Sequence, residues 1–577
     1  MNTVDLVIRN GSIADGTGAA LRTADVAVND GRIVAVGTVS ARGREEIDAT
    51  GKLVTPGFVD IHTHYDGQVT WSNQISPSSQ HGVTTVVMGN CGVGFAPVRL
   101  GDHERLMRLM EGVEDIPEPV LSAGLPWTWE SFPDYVNWLS TRQYDMDVGP
   151  LLPHAALRVY VMGERGANRE PANADDIRQM AALAGEAVTA GALGFSTSRA
   201  LNHRTSDGDY TPTLEAAENE LTAIAQAMQA AGGGVMQFIL DISTIDHDLP
   251  MMLGIGKRTG CPITFSLFQH HQKPERWRQT MRQIEEAAAA GLKVTAQVAA
   301  RAIGVMLGLE LTRHPFRTRP SYAAIAELPL AERVAKLRDS AVKARILAED
   351  SAPDDEFAQR LGDYSKVFTL GAPPDYEQPT ENAIGPRAAR EGRNLEEIAY
   401  DAMLEDDGQG MLYMPALNYA DGNLDPVYEM MRSPLAIAGL SDGGAHCGII
   451  CDASFPTYLL THWARDRTRG ERLSLPYVVE LQTRKSAEAL GLYDRGVVAP
   501  GYRADLNVID FDRLRLLPPE VSYDLPLGGR RLVQTAEGYE VTIVAGIVTR
   551  RDGAATGALP GRMVLGAQLP PQAIAAE

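Results

Sequence analysis

Eight short apolar stretches, alternating with helical segments, predict an α/β chain built on a (β/α)8 TIM-type barrel. Two further patterns refine this. Strand-like segments gather at both ends of the chain, which implies a small β-sandwich built from the two termini together. Polar and chemistry-bearing residues follow several of the apolar stretches at once, which puts a site at the C-terminal mouth of the barrel.

The N-terminal strands are short. Val4-Asp5-Leu6-Val7-Ile8 alternates, Asn10-Gly11 turns, and Ala27-Val28 and Ile33-Val34-Ala35-Val36 flank Asp30-Gly31, a hairpin signal. Strand-like runs return at 504–509 and 541–548. Residues 4–55 are too few to close a β core alone, so residues 1–55 with 490–577 are expected to form the sandwich. The barrel is then expected over 56–489, with strands at 58–61, 85–88, 148–152, 193–195, 234–238, 263–267, 294–298 and 435–440. Helices are expected at 174–190, where Ile177, Met180, Ala181, Ala184 and Val188 share a face, and at 277–290. The stretch at about 303–433 is too long for a plain connection and reads as a helical insertion over the barrel mouth. The tail after Arg550 is rich in Ala, Gly and Pro.

With 577 residues, 44% apolar and 22% charged, the chain reads as an ordinary soluble globular protein with ample core. Its net charge of −21 repels phosphate backbones and argues against a nucleic-acid partner. No apolar run has membrane-spanning length, and Met1-Asn2-Thr3-Val4-Asp5 lacks the basic and apolar regions of a leader, so a cytoplasmic protein is expected. Four cysteines in so long a chain do not make a disulfide framework.

The chemistry begins at Gly57-Phe58-Val59-Asp60-Ile61-His62-Thr63-His64. On a strand, His62 and His64 point the same way, about 6–7 Å apart, and can converge on one metal ion. At Gly82 to Gly92 a β-branched run ends in Gly89-Asn90-Cys91-Gly92, where flanking glycines let a thiolate sit close to an ion. Alone, Cys91 reads as structural; beside a neighbouring His-x-His strand it reads as a ligand. At Gly439-Leu440-Ser441-Asp442-Gly443-Gly444-Ala445-His446 an Asp ends an apolar run and can bind a metal and take a proton from water. His446 either binds substrate or only orients Asp442. Arg301, Arg313 and Arg317 are available to an anion, although isolated arginines are mostly solvated.

These motifs, together with Gly191 to Ser198 and Arg495 to Leu506, resemble the amidohydrolase superfamily. The Asn90-Cys91-Gly92 context is similar to its D-aminoacylase branch, the N-acyl-D-amino-acid deacylases. The resemblance runs from residue 4 to about 550. It implies a distorted (β/α)8 barrel and zinc-assisted hydrolysis of an amide C–N bond in a small-molecule substrate. On that carry-over His62, His64, Cys91 and Asp442 hold metal, and Asp442 also shuttles the proton. His154, His446, Gln269 and His270 are the residues expected to touch substrate, and a homo-oligomer is expected.

The sequence departs from the branch at two points. The fifth strand, Gly234 to Leu240, has no histidine, and the sixth has Leu267 where a ligand is expected, with His270 and His271 three and four residues late. One Zn2+ ion is therefore expected rather than two. The branch's carboxylate-holding lysine also has no counterpart in register. Rival readings are a cyclic-amide or other C–N or ester hydrolase, a barrel using its metal for a lyase or decarboxylation step, and a catalytically silent scaffold.

Overall fold

The computed structural model describes residues 3–571. The eight apolar stretches form one parallel sheet. They are Phe58–Asp60 (β1), Val83–Met88 (β2), Asp147–Pro153 (β3), Gly194–Ser198 (β4), Val235–Ile239 (β5), Ile263–Leu267 (β6), Val294–Val298 (β7) and Ala436–Ala438 (β8). Each pairs with the next in chain order, and nearly all their residues are buried, as expected for strands covered on both faces. The barrel closes between β8 and β1 just past their C-terminal ends. There Thr63 bridges Gly443 in parallel, Asp442 N donates to His62 O (3.1 Å), and His64 N donates to Gly443 O (2.8 Å). The seam of the barrel is thus made by the residues that flank the histidine pair and the aspartate.

The expected helices are present at Ala174–Thr189 and Arg276–Ala289. The first starts at Asn173, whose side chain accepts from the backbone of Asp175 and Asp176 while Asp176 caps in return. It buries Met180, Ala184 and Ala187. The second buries Trp277, Met281 and Ile284. Among the described residues no helix is long and apolar enough to cross a membrane.

Strands from both termini share one nine-stranded sheet curled over its own core, in which Leu53–Pro56 pairs with Leu506–Ile509 and Leu506–Ile509 with Tyr539–Val544. Leu6, Ile8, Val26, Val28, Val54, Leu506, Val508 and Ile543 fill its interior. Not all of 490–577 belongs to that sheet. Glu520–Leu525 and Gly529–Val533 form a separate ribbon that reaches the barrel mouth through Leu532 N to Cys447 O (2.7 Å). The tail, for all its composition, is paired to the barrel. Gly561 bridges Tyr144, Met563 bridges Val148, and Met563 and Val564 are buried.

The insertion carries its own sheet as well as helices. Ile303–Leu307, Phe368–Thr369 and Leu412–Leu417 pair antiparallel. Phe316, Tyr322, Leu337, Ile346, Ile384, Ile398 and Tyr400 pack a core of their own beneath them. The helices expected of the insertion are present, and a sheet accompanies them because the β-branched and aromatic runs at its two ends pair with each other across the inserted helices. Arg301 is not a solvated arginine. It is fully buried, 3.1 Å from Asp452 and stacked 3.7 Å over the Tyr376 ring.

Candidate metal centre

The ends of β1, β2 and β8 bring four donor atoms together. His62 Nε2 lies 3.3 Å from Cys91 Sγ and 3.4 Å from Asp442 Oδ1; His64 Nε2 lies 3.8 Å from Cys91 Sγ and 3.7 Å from Asp442 Oδ1. A tetrahedron with metal–ligand bonds of about 2.0–2.3 Å has edges of roughly 3.3–3.8 Å, the range of these four spacings, and His62, His64 and Cys91 alone bring donor atoms within 4.8 Å of one another, as three ligands of one ion would. Both imidazoles reach this point as the strand alternation requires, with ring centroids 5.6 Å apart.

The chain holds these residues in conformations that side chains otherwise avoid. Cys91 (φ 56°), Leu440 (φ 65°), Asp442 (φ 48°) and His446 (φ 54°) all lie in the left-handed region. Such strain gathers at functional sites, where the surroundings over-determine the backbone. Cys91 sits between Gly89 (φ 83°) and Gly92 (φ 73°). Its N–H donates to Gln237 Oε1 (3.2 Å), and Gly92 N donates to Ser196 Oγ (3.0 Å). Asn90 Nδ2 ties the same turn back to Thr63 O (3.2 Å) and Val87 O (2.9 Å).

Each histidine is oriented through its far nitrogen. His62 Nδ1 donates to Gln297 Oε1 at 2.6 Å, which leaves the Nε2 lone pair available to a cation. His64 Nδ1 lies 3.3 Å from Glu114 Oε1. Neither of those two atoms has a hydrogen bond that satisfies it, and Asp442 Oδ1 is also unpaired although buried. Glu114 is the residue that the sequence hides. It ends the His103–Glu114 helix, is 1% exposed, and places its other oxygen 3.5 Å from His446 Nε2. The backbone locks the arrangement, since His446 N donates to Glu114 O and Gly448 N to Asp115 Oδ2 (2.8 Å).

The electrostatics follow from burial of these charges. Burial, with repulsion from Asp442 and Asp66, pushes Glu114 up to about 8 against the pull of His64. Burial pushes His62 down to about 4 despite Asp442. At His64 burial is outweighed by Glu114, Asp442 and Asp66, which raise it to about 9. At Asp442 burial is outweighed by the pull of the neighbouring imidazoles of His64, His62 and His446, which hold it well below the usual carboxylate range. Burial and the carboxylates Glu114, Asp442 and Asp66 push the Cys91 thiol far up, so a thiolate there requires a cation.

The four donors open onto a cavity of about 1150 Å³, which His203, His270 and His446 also line, with Ile303, Glu356, Arg360 and Leu417 from the insertion. His446 and His270 therefore stand where substrate contacts were expected. His154 and Gln269 do not. His154 is fully buried, with Nδ1 on Thr197 Oγ1 and Nε2 on Glu220 Oε1, both at 2.8 Å, beside Arg158. Gln269 is fully buried as well, donating to Asp421 Oδ2 (2.7 Å) and accepting from Ala420 N (3.0 Å). Both spend their polar atoms inside the protein, so the expectation that they bind substrate is corrected. His271 turns into a separate pocket with Lys366, 3.2 Å from its Nδ1. Where a second ligand pair was sought, β5 offers Gln237 Nε2 and β6 offers Ser266 Oγ, both buried and unpaired. These are weak ligands for zinc.

Residues 45–550 match the model of the amidohydrolase family. The chain is 28% identical over 524 residues to an N-acyl-D-aspartate deacylase of Alcaligenes xylosoxydans xylosoxydans, covering 88% of this chain and 86% of that one. It superposes on a solved D-aminoacylase, described for the functional role of its binuclear metal centre, with a TM-score of 0.65 at 24% identity, covering 97% of this chain and all of the other. It also superposes on the N-acyl-D-glutamate deacylase of Bordetella bronchiseptica, solved with zinc and a phosphonate mimic of the tetrahedral intermediate. That match has a TM-score of 0.63 at 23% identity, covering 98% of this chain and all of the other.

Proposed function

The chain belongs to the amidohydrolase family, in its D-aminoacylase branch, and from that premise we propose that it removes the acyl group from N-acyl-D-amino acids with one zinc ion held by His62, His64, Cys91 and Asp442. The observation that carries this reading is that Nε2 of both His62 and His64 lies 3.3–3.8 Å from Cys91 Sγ and from Asp442 Oδ1, with the two imidazoles and the thiol mutually within 4.8 Å. Their chemistry, two imidazoles, a thiolate and a carboxylate, suits zinc. When bound, such a cation supplies a deprotonated water near neutral pH and polarises an acyl carbonyl.

The chain's own residues do the rest. Gln297 fixes the tautomer of His62, and Glu114 sets a carboxyl group 3.3 Å from His64 Nδ1. Asp442 accepts the proton that the attacking water gives up. It returns that proton to the leaving nitrogen as the C–N bond breaks. His446, 3.8 Å from Asp442 Oδ2, keeps that carboxylate oriented while it faces the cavity. Walls such as Leu201, Ile239, Phe268 and Leu417 exclude water from the reacting bond.

The test is a panel assayed on zinc-loaded protein: N-acetyl-D- and N-acetyl-L-amino acids, and a hydantoin as a cyclic amide. Release of free D-amino acid with strong preference over the L series is the expected result. Turnover confined to the cyclic amide, or to L-amino acids, would overturn the assignment.

A further inference from the structure

His203 lines the cavity, and the mechanism above leaves it without a task. It stands on the loop after β4, and that loop is pinned from several sides. Arg199 N donates to Ile239 O (2.9 Å), Leu201 N to Asp241 Oδ2 (2.9 Å), and Thr213 Oγ1 to Ser198 O (2.7 Å). His203 Nδ1 lies 2.9 Å from Ser198 Oγ. That same hydroxyl accepts the Ala200 N–H (3.2 Å) and still has its own proton to give, and we take Ser198 as the donor to the ring. A ring whose Nδ1 accepts carries its proton on Nε2. Nε2 has no hydrogen-bond partner among the described residues, and the ring lines the cavity together with His62, His64, Cys91 and Asp442.

We propose that His203 is a catalytic residue of the deacylation: its Nε2–H donates a hydrogen bond to the substrate's carbonyl oxygen as that oxygen gains negative charge. This rests on the reading of the site given above. The bond to the carbonyl carbon forms from the attacking water oxygen, the carbonyl π pair moves onto the oxygen, and His203 holds that oxygen without giving up its proton. A neutral imidazole is the right donor for this task, because it stabilises the anion and stays charged for no part of the cycle. Burial and repulsion from His446 and His64 push His203 down to about 3, so the ring stays uncharged through the neutral range.

The experiment has two readings. In the first, ¹⁵N-histidine spectra of the zinc-loaded protein are compared with those of His203→Ala, which identifies the His203 signals by their loss. The Nε2–H neutral tautomer is expected, and an Nδ1–H tautomer or an imidazolium at pH 7 overturns the proposal. In the second, His203→Ala is expected to lower kcat by about 10²–10³-fold, the usual cost of an oxyanion donor, with KM within about threefold of wild type and zinc content unchanged. His203→Gln, which keeps an N–H donor, is expected to regain part of the loss. A kcat within about threefold of wild type, or loss of zinc with the imidazole, overturns it. A wild type that turns over no N-acyl-D-amino acid defeats the substrate assignment instead, and the tautomer still decides the role of the ring.

Discussion

A carboxylate set against the back of a metal-facing imidazole fixes which nitrogen carries the proton and makes the other a better donor. Glu114 stands in that position behind His64, 3.3 Å from its Nδ1, on a helix end that also lies 3.5 Å from His446 Nε2. Glu114→Gln, which keeps the shape and removes the ionisable carboxyl group, is expected to weaken zinc binding by about 10–100-fold in a chelator competition. The effect should appear in metal affinity before it appears in folding. His62 and His64 were legible in the sequence because strand alternation puts i and i+2 on one face. Cys91 was legible because glycines flank it at a strand end. Glu114 and His203 were not. An acid in Glu111-Gly112-Val113-Glu114-Asp115 reads as solvated helix surface, and a histidine in Leu201-Asn202-His203-Arg204 reads as loop. Glu114 takes its place from burial against segments far away in the chain, and His203 from the cavity that its loop lines. His154 and Gln269 erred in the other direction, since polar residues at strand ends also serve to satisfy one another.

At the scale of elements, the turn from β2 into Cys91 is the most constrained joint of the site. Gly89 has φ 83°, and a Cβ there would press on the Leu151 carbonyl of β3. Gly89→Ala is therefore expected to destabilise the protein by about 1–3 kcal/mol and to move Cys91 off the donor set. Thermal unfolding and elemental analysis on the same sample check both parts. The barrel strands were legible because each is a short apolar run, buried on both sides, that ends in polar residues. The antiparallel sheet of the insertion was not, because Ile303–Leu307 and Leu412–Leu417 pair across roughly a hundred residues of helix and loop. The ribbon at Glu520–Leu525 and Gly529–Val533 was missed for a simpler reason: nothing in its pattern says that it packs on the barrel rather than on the terminal sheet.

At the scale of the whole molecule, both ends of the chain brace the barrel. His81 is wholly buried between Thr457 Oγ1 (2.8 Å) and Gln534 O (2.7 Å), joining the approach to β2 to the C-terminal region. Burial, with Arg550 nearby, lowers it to about 4 against the Gln534 hydrogen bond. Its folded pKa is thus below its unfolded value of about 6.5. The folded state then binds fewer protons, so the contribution is complete above about pH 6.5 and is lost as pH falls towards 4, roughly 3 kcal/mol in all. His81→Gln is expected to be less stable at pH 7 and to show a shallower loss between pH 6.5 and 4 than wild type, by thermal unfolding across that range. The tail acts in the same way. Truncation after Gly557 removes Met563 and Val564 from the barrel and is expected to cost about 1.5–3 kcal/mol for each buried side chain.

All of this converges on one claim, that a single ion sits where β1, β2 and β8 end. The direct measurement is zinc per chain by elemental analysis, on wild type and on the His62→Ala/His64→Ala double variant prepared in the same way. One ion per chain in wild type, and none retained by the double variant while its fold is kept, is the result expected. Two ions per chain in wild type, or one ion undiminished in the double variant, would contradict a single site built on the histidine pair.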